Sequence, residues 1–243
     1  MREARYAPAA MRRWLRPVRI PILYYHEIGR NVGKHVVGPQ AFEAQLDWLG
    51  IAGFEVLSMD AVVEVYTGAR AAPRRCVVLS FDDGRAGASQ YAAPALASRG
   101  LPAIFYVVTS WLDGHGIPES ERYSAFMGWP EVEALRDAGF AVGSHSVSHQ
   151  NLKRIPAADV EHEVRDSRKQ LESALGQPAL HFSFPYGRRT RAVERAVRAA
   201  GYRTAVVTGE RCNGRFSRLH RLYRLRVDGR EPLQALRARL LAE

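Results

Sequence analysis

From Val18 onward the chain alternates short apolar runs with longer stretches in which apolar residues recur every three or four positions. The short runs predict strands at Arg19–Tyr25, Phe54–Leu57, Cys76–Phe81, Ala103–Val108, Phe140–Gly143, Leu180–Phe184, Tyr202–Val207 and Tyr223–Val227. The longer stretches predict helices at Pro39–Ala52, Met59–Thr67, Gly87–Arg99, Trp129–Ala138, Ala157–Leu175, Arg188–Ala200 and Glu231–Leu241. Gly53, Gly100, Gly139, Gly176 and Gly201 each follow a predicted helix, where a left-handed cap favours glycine. Strand and helix in alternation predict a parallel sheet with crossover helices, as an open doubly wound sheet or a closed barrel.

Length fits this picture. The 243 residues suffice for one core, and a strand–helix barrel needs roughly 250 residues. One domain is therefore expected over 18–243, preceded by a basic, flexible arm at 1–17. Charge adds little to the choice of partner. Lys plus Arg outnumber Asp plus Glu by 35 to 25, and such an excess suits acidic partners, but a compositional arginine bias explains it as well. No stacking aromatics accompany the basic runs in a nucleic-acid-reading motif, so no nucleic acid partner is expected. The arm's Met11–Arg16 segment can touch a membrane surface. It lacks the apolar core of a signal peptide, and no stretch reaches the length of a membrane span, which makes cytoplasmic the expected location. Cys76 and Cys212 form no metal-binding spacing; Cys76 opens an apolar strand as a small hydrophobe.

Chemistry-bearing residues interrupt the pattern in one kind of place, the C-terminal ends of predicted strands. Tyr24-Tyr25-His26-Glu27, Ser80-Phe81-Asp82-Asp83-Gly84, His145-Ser146-Val147-Ser148-His149 and Pro185-Tyr186-Gly187 all stand there. In a parallel barrel these ends share one face, where active sites are built. His145 and His149 project to the same side if a helical turn begins at Ser146, a spacing that suits a metal. Two surface histidines or a cap are the competing reading. Asp82 and Asp83 need partners if buried, and their alternative role is a helix N-cap. Adjacent strand residues point to opposite faces, so they make a poor facing pair for glycoside cleavage.

These segments resemble the motifs of the polysaccharide deacetylases of the NodB-homology group, carbohydrate esterase family 4. Ser80-Phe81-Asp82-Asp83-Gly84 is similar to its TFDDG motif, His145-Ser146-Val147-Ser148-His149 to its H-S/T-x-x-H motif, and Phe184-Pro185-Tyr186-Gly187 to its third motif. The resemblance runs from about Val18 to about Val227. It implies a single distorted (β/α) barrel of about seven strands. It implies one divalent metal, zinc first with cobalt or nickel as alternatives, held by Asp83, His145 and His149. Asp82 is then the general base, and the Tyr186 backbone N–H, in the turn after Pro185, holds the oxyanion, unless Tyr186 only packs over that turn.

Two positions depart from the family pattern. Ser183 stands where an Arg usually orients the base. The late strand, Leu222–Val227, carries no histidine at its C-terminal end, where the general acid is expected. Members resembling the poly-N-acetylglucosamine deacetylases lack that Arg too and place the acid histidine on the first strand in a Tyr-His context. Tyr25-His26 fits, which assigns His26 as the acid, with water orientation or packing beside Tyr25 as its alternatives. Trp111 and the Asp113–Tyr123 loop are candidates for a substrate-side flap. Trp129 can stack on a sugar or anchor the helix at Pro130, the second being favoured, and Tyr25 is a further candidate contact. His35, His115, His162 and His181 have no spacing partner and are read as structural or exposed.

The implied activity is removal of N-acetyl groups from an N-acetylglucosamine-containing polysaccharide or its precursor. An O-acetyl esterase acting on xylan-type substrates and a catalytically dead carbohydrate-binding homologue are the alternatives.

Overall fold

Pro21, which has no N–H to donate to a ladder, splits the first predicted strand in two. In the computed structural model, which describes residues 18–122 and 124–242, Arg19–Ile20 pairs antiparallel with Asn213–Gly214. Ile22–Tyr25 instead opens a parallel barrel. The basic arm expected at 1–17 lies outside the described residues.

The barrel strands are β1 (Ile22–Tyr25), β2 (Cys76–Phe81), β3 (Ile104–Val107), β4 (Ala141–Ser144), β5 (His181–Ser183), β6 (Thr204–Thr208) and β7 (Leu222–Arg226). Each pairs in parallel with the next in chain order, and β7 pairs with β1 to close the ring. The expected barrel of about seven strands is what forms. The predicted strand at 54–57 is reduced to Glu55–Val56, which pairs only with the start of β2 and stays outside the ring.

Helices cover the outside: α1 (Pro39–Ile51), α2 (Met59–Thr67), α3 (Ala93–Ala97), α4 (Thr109–Leu112), α5 (Trp129–Asp137), α6 (Ala157–Leu175), α7 (Arg191–Ala199) and α8 (Leu233–Leu241). The helix predicted from Gly87 is instead a π-helical turn at Ala88–Ala92 running into α3. The helix predicted from Arg188 begins at Arg191, because Thr190 caps it by accepting the Val193 N–H at 3.2 Å. All five glycines expected to cap helices sit at positive φ.

Alternation along each strand sorts residues into two layers. Ile22, Val78, Ile104, Val206 and Leu222 pack together inside the barrel. Leu23, Tyr25, Leu79, Phe81 and Phe105 pack outward under the helices, and Phe182, Phe184, Ala205 and Val207 do so around α6 and α7. The apolar plug fills the lower half of the barrel and leaves the C-terminal half for polar side chains. No helix among the described residues is long and apolar enough to cross a membrane.

Candidate active site

Inward positions continue above the plug as Ser80 and Asp82 along β2, Tyr106 on β3, Ser183 on β5 and Arg224 on β7. Arg224 is fully buried, and a lone guanidinium there carries a large desolvation cost. It is met by a fork-to-fork pair with Asp82, Nη1 to Oδ1 at 2.7 Å and Nη2 to Oδ2 at 2.6 Å. Ser183 Oγ accepts a third bond from Nη2 at 3.0 Å, and the Tyr24 ring lies 4.5 Å from the guanidinium carbon. The arginine absent at position 183 is thus supplied by β7, and the short Ser183 side chain leaves room for it. Burial pushes the Asp82 carboxyl up, but Arg224, His145 and His26 together outweigh it and bring the group down to about 2. Asp82 is therefore ionised at neutral pH.

Asp83, His145 and His149, all buried or nearly so, present ligand atoms within 4.8 Å of one another. Asp83 Oδ1 stands 3.6 Å from Nε2 of each imidazole. A carbonyl can only accept, so His145 Nδ1, 2.7 Å from Ser183 O, is the N–H donor and leaves Nε2 facing Asp83. Burial and neighbouring His145 hold His149 down at about 4, so its ring is neutral, the form that ligates a metal. One carboxylate and two imidazoles on one side of a buried point are a donor set that fits a divalent cation of the zinc, cobalt or nickel type.

The turn that carries the histidines is not helical, yet it brings both to the same side. Ser146 and His149 have φ of 70° and 58°, and Asp83 and Tyr186 have 72° and 58°. L-residues avoid this region, so each must be held there by its surroundings. For the histidine turn the holder is Glu163 of α6, a buried carboxylate that accepts the N–H groups of Val147 at 3.0 Å and Ser148 at 2.9 Å as well as the Ser148 hydroxyl. Ser146 Oγ accepts the His149 N–H at 3.0 Å. The positive φ of Asp83 likewise departs from a helix N-cap, whose residue has extended dihedrals.

A cleft of about 1020 Å³ opens over this cluster, lined by Tyr24, His26, His35, Asp82, Asp83, His145, His149, Tyr186 and Arg224, with Ser120 and Glu121 from the expected flap loop. His26 stands at the end of β1, its Nδ1 buried without a hydrogen-bond partner among the described residues. Burial lowers its pKa against the pull of Asp83 and Asp82. His35, read from sequence as structural or exposed, also lines the cleft, its ring centroid 4.7 Å from that of His26. Pro185 is buried beneath the turn, and Tyr186 is half open to solvent with its ring 4.6 Å from His149. His181 is structural as expected, bonded to Thr204 Oγ1 at 2.9 Å.

Three aromatic candidates are placed elsewhere. Tyr25 points outward, fully buried, its hydroxyl 2.9 Å from Gln45 Oε1 on α1, because alternation gives the inward position to Tyr24. Trp111 is 1% exposed and packs behind His149, with centroids 5.1 Å apart, so it buttresses the histidine instead of meeting a sugar. Trp129 opens α5 with its indole N–H donating to Asp113 Oδ1 at 2.9 Å, the anchoring role, and lies outside the cleft lining. The flap loop is tied down by fully buried Arg85, which donates to the Glu121 carbonyl at 2.6 Å and pairs with its carboxylate.

Residues 69–205, more than half of the chain, match the family model described as Polysaccharide deacetylase. The chain belongs to that family. As a polysaccharide deacetylase it is a hydrolase, and the comparisons with individual proteins agree with its fold. YxkH of Bacillus subtilis (strain 168) is 26% identical over 213 residues, covering 88% of this chain and 73% of the relative. A poly-β-1,6-N-acetyl-D-glucosamine N-deacetylase of Escherichia coli (strain K12) is 32% identical over 77 residues, which is 32% of this chain and 12% of the relative. Among solved structures, the Streptococcus pyogenes deacetylase PplD in complex with acetate superposes with a TM-score of 0.81 at 23% identity, covering 93% of this chain and 99% of that one. This last likeness establishes a shared barrel.

Both aspartates, His145, His149 and His26 stand at strand ends in the sequence, and the structure brings all five to one cleft. Arg224 and Glu163 are not singled out in the sequence, and His35 is read there as structural or exposed. For Arg224 a signal does exist: in Leu222-x-Arg224-x-Arg226 an apolar residue and two cations share one strand face.

Proposed function

We propose that this polysaccharide deacetylase removes N-acetyl groups from glucosamine-type residues of a poly- or oligosaccharide. The observation that carries the reading is the adjacent placement of an ionised Asp82, locked by Arg224, and the Asp83–His145–His149 donor set at the floor of one open cleft.

Amide hydrolysis by water needs a base for the water's proton, donors for the developing oxyanion and an acid for the departing nitrogen. Asp83, His145 and His149 would hold a divalent cation, which when bound would supply Lewis acidity to the hydrolysis. Asp82 accepts the water's proton, and its fixed pairing with Arg224 aims one carboxylate edge. A carboxylate that titrates at about 2 is a weak base that stays ionised, and so able to accept a proton, at neutral pH. The Tyr186 N–H, presented by its left-handed backbone, donates to the oxyanion. His26 protonates the leaving amine; burial lowers its pKa, which makes its charged form scarcer at neutral pH but a stronger donor. The roles of Tyr24 and His35 are to wall His26 on both sides, with ring centroids at 5.5 and 4.7 Å.

The Arg224–Asp82 pair weakens the reading as a dead scaffold, since the gap at Ser183 is filled. The test is acetate release from N-acetylated chito-oligosaccharide and poly-N-acetylglucosamine, beside O-acetylated xylan, by metal-restored protein. Asp82→Asn is expected to bind metal normally and to lose about 10²- to 10⁴-fold in kcat/KM. Full activity in Asp82→Asn overturns the base assignment, and preferential release from xylan overturns the N-acetyl assignment.

A further inference from the structure

Four cationic side chains from separate segments line the cleft: Lys34 before α1, Arg154 beyond the histidine turn, Arg188 after β5 and Arg226 at the end of β7. The acids of the cleft are already engaged. Asp82 is taken by Arg224, Asp83 faces the two ligand histidines, and Glu121 is paired with Arg85. Glu210, beside Arg226, accepts that residue's backbone N–H with one oxygen and faces Arg239 at 3.3 Å with the other. Among the described residues no carboxylate lies within 4.0 Å of the side-chain nitrogens of Lys34, Arg154, Arg188 or Arg226.

Like charges gathered at one concave site repel one another, and low-dielectric walls focus their field into the opening. A neutral glycan gains nothing from that field. Its deacetylated product is worse placed, because each acetyl removed exposes an amine that takes a positive charge at neutral pH. We infer that the cleft accepts an N-acetylated glycan bearing negative charge, carboxylate or phosphate, next to the acetamido sugar. This inference rests on the deacetylase reading above and names its substrate class. The anionic groups meet the cationic rim while the acetamido group reaches Asp82, and the same anions hold the cationic product in balance.

The experiment measures binding and acetate release in parallel with three probes: chitotetraose, which is neutral; a hyaluronan tetrasaccharide, with carboxylates on alternate sugars; and chitobiose 1-phosphate. At low salt at least one anionic probe is expected to bind about tenfold more tightly than chitotetraose, the sum of several exposed pairs of modest strength. That difference should shrink in 0.5 M salt as screening shortens the range of the field. A Lys34→Gln/Arg154→Gln/Arg188→Gln variant, checked by its unfolding midpoint to be folded, should lose the preference. The carboxylate and phosphate arms show which anion is preferred. Equal binding of all three probes, no measurable binding of any, or a preference that survives in the triple variant overturns the inference. Acetate release from chitotetraose without anionic preference overturns it while leaving the deacetylase reading standing. Anionic preference in binding without acetate release from any probe supports the charge preference and counts against the N-deacetylase assignment of the site.

Discussion

A guanidinium enclosed by a carboxylate, a serine hydroxyl and a tyrosine ring is stable only while all of its company is present. Arg224→Met leaves the Asp82 carboxylate buried without its partner, and breaking such a pair costs about 3–5 kcal/mol. Denaturant unfolding should show that loss, together with a large fall in kcat/KM as Asp82, the proposed base, loses its orientation. Arg224→Lys keeps the charge but not the two parallel bonds, so it should recover part of the stability and little of the rate. A stable, fully active Arg224→Met protein would contradict the positioning role. This pair marks the limit of legibility at single residues. The gap at Ser183 is visible in the sequence, but its filler is 41 residues away on a different strand, and only ring closure brings the two together.

Among the elements, α6 does most to shape the site. Its position in the chain says nothing of the histidine turn, yet Glu163 holds that turn by accepting two backbone N–H groups. Glu163→Gln keeps the side chain's size and removes its charge. It should weaken divalent-metal affinity about 10- to 100-fold, as losses in the supporting shell of a metal site do, with helix content unchanged. Metal titration by calorimetry checks this. A second tight spot lies where the chain leaves β2. A Cβ on Gly87 would overlap the Glu27 carboxylate and the Ile28 carbonyl, so Gly87→Ala should destabilise the fold by about 1–3 kcal/mol, the cost of overpacking, measured as a lowered unfolding midpoint. The helix at Ala157–Leu175 is read correctly from its periodicity, as are Met59–Thr67 and the strand Cys76–Phe81. The histidines reach one side without a helical turn, because left-handed Ser146 and His149 bring positions i and i+4 together once side chains pin the turn.

At the scale of the molecule, the barrel collects onto one face groups that lie as far apart in the chain as His26 and Arg224. Three of them, Asp83, His145 and His149, converge closely enough that binding of a metal there, as proposed, would be coupled to folding. Chelation should therefore lower the unfolding temperature and abolish acetate release. Restoring the metal to about 100 times its dissociation constant should return about 2.7 kcal/mol. A midpoint indifferent to chelator and metal would rule the donor set out. Periodicity settles which segments are strands and helices, since a strand must bury alternate residues and a helix one stripe. Strand-end position settles which residues gather, because parallel strands joined by crossovers all end on one face. Whether the sheet closes is decided only in three dimensions, by β7 pairing with β1. Closure is also what places Arg224 against Asp82, turns Tyr24 inward and Tyr25 outward, and leaves the rim cations facing a common opening. Side-chain direction, burial and charge pairing depend on neighbours distant in the chain, and no local pattern carries that information.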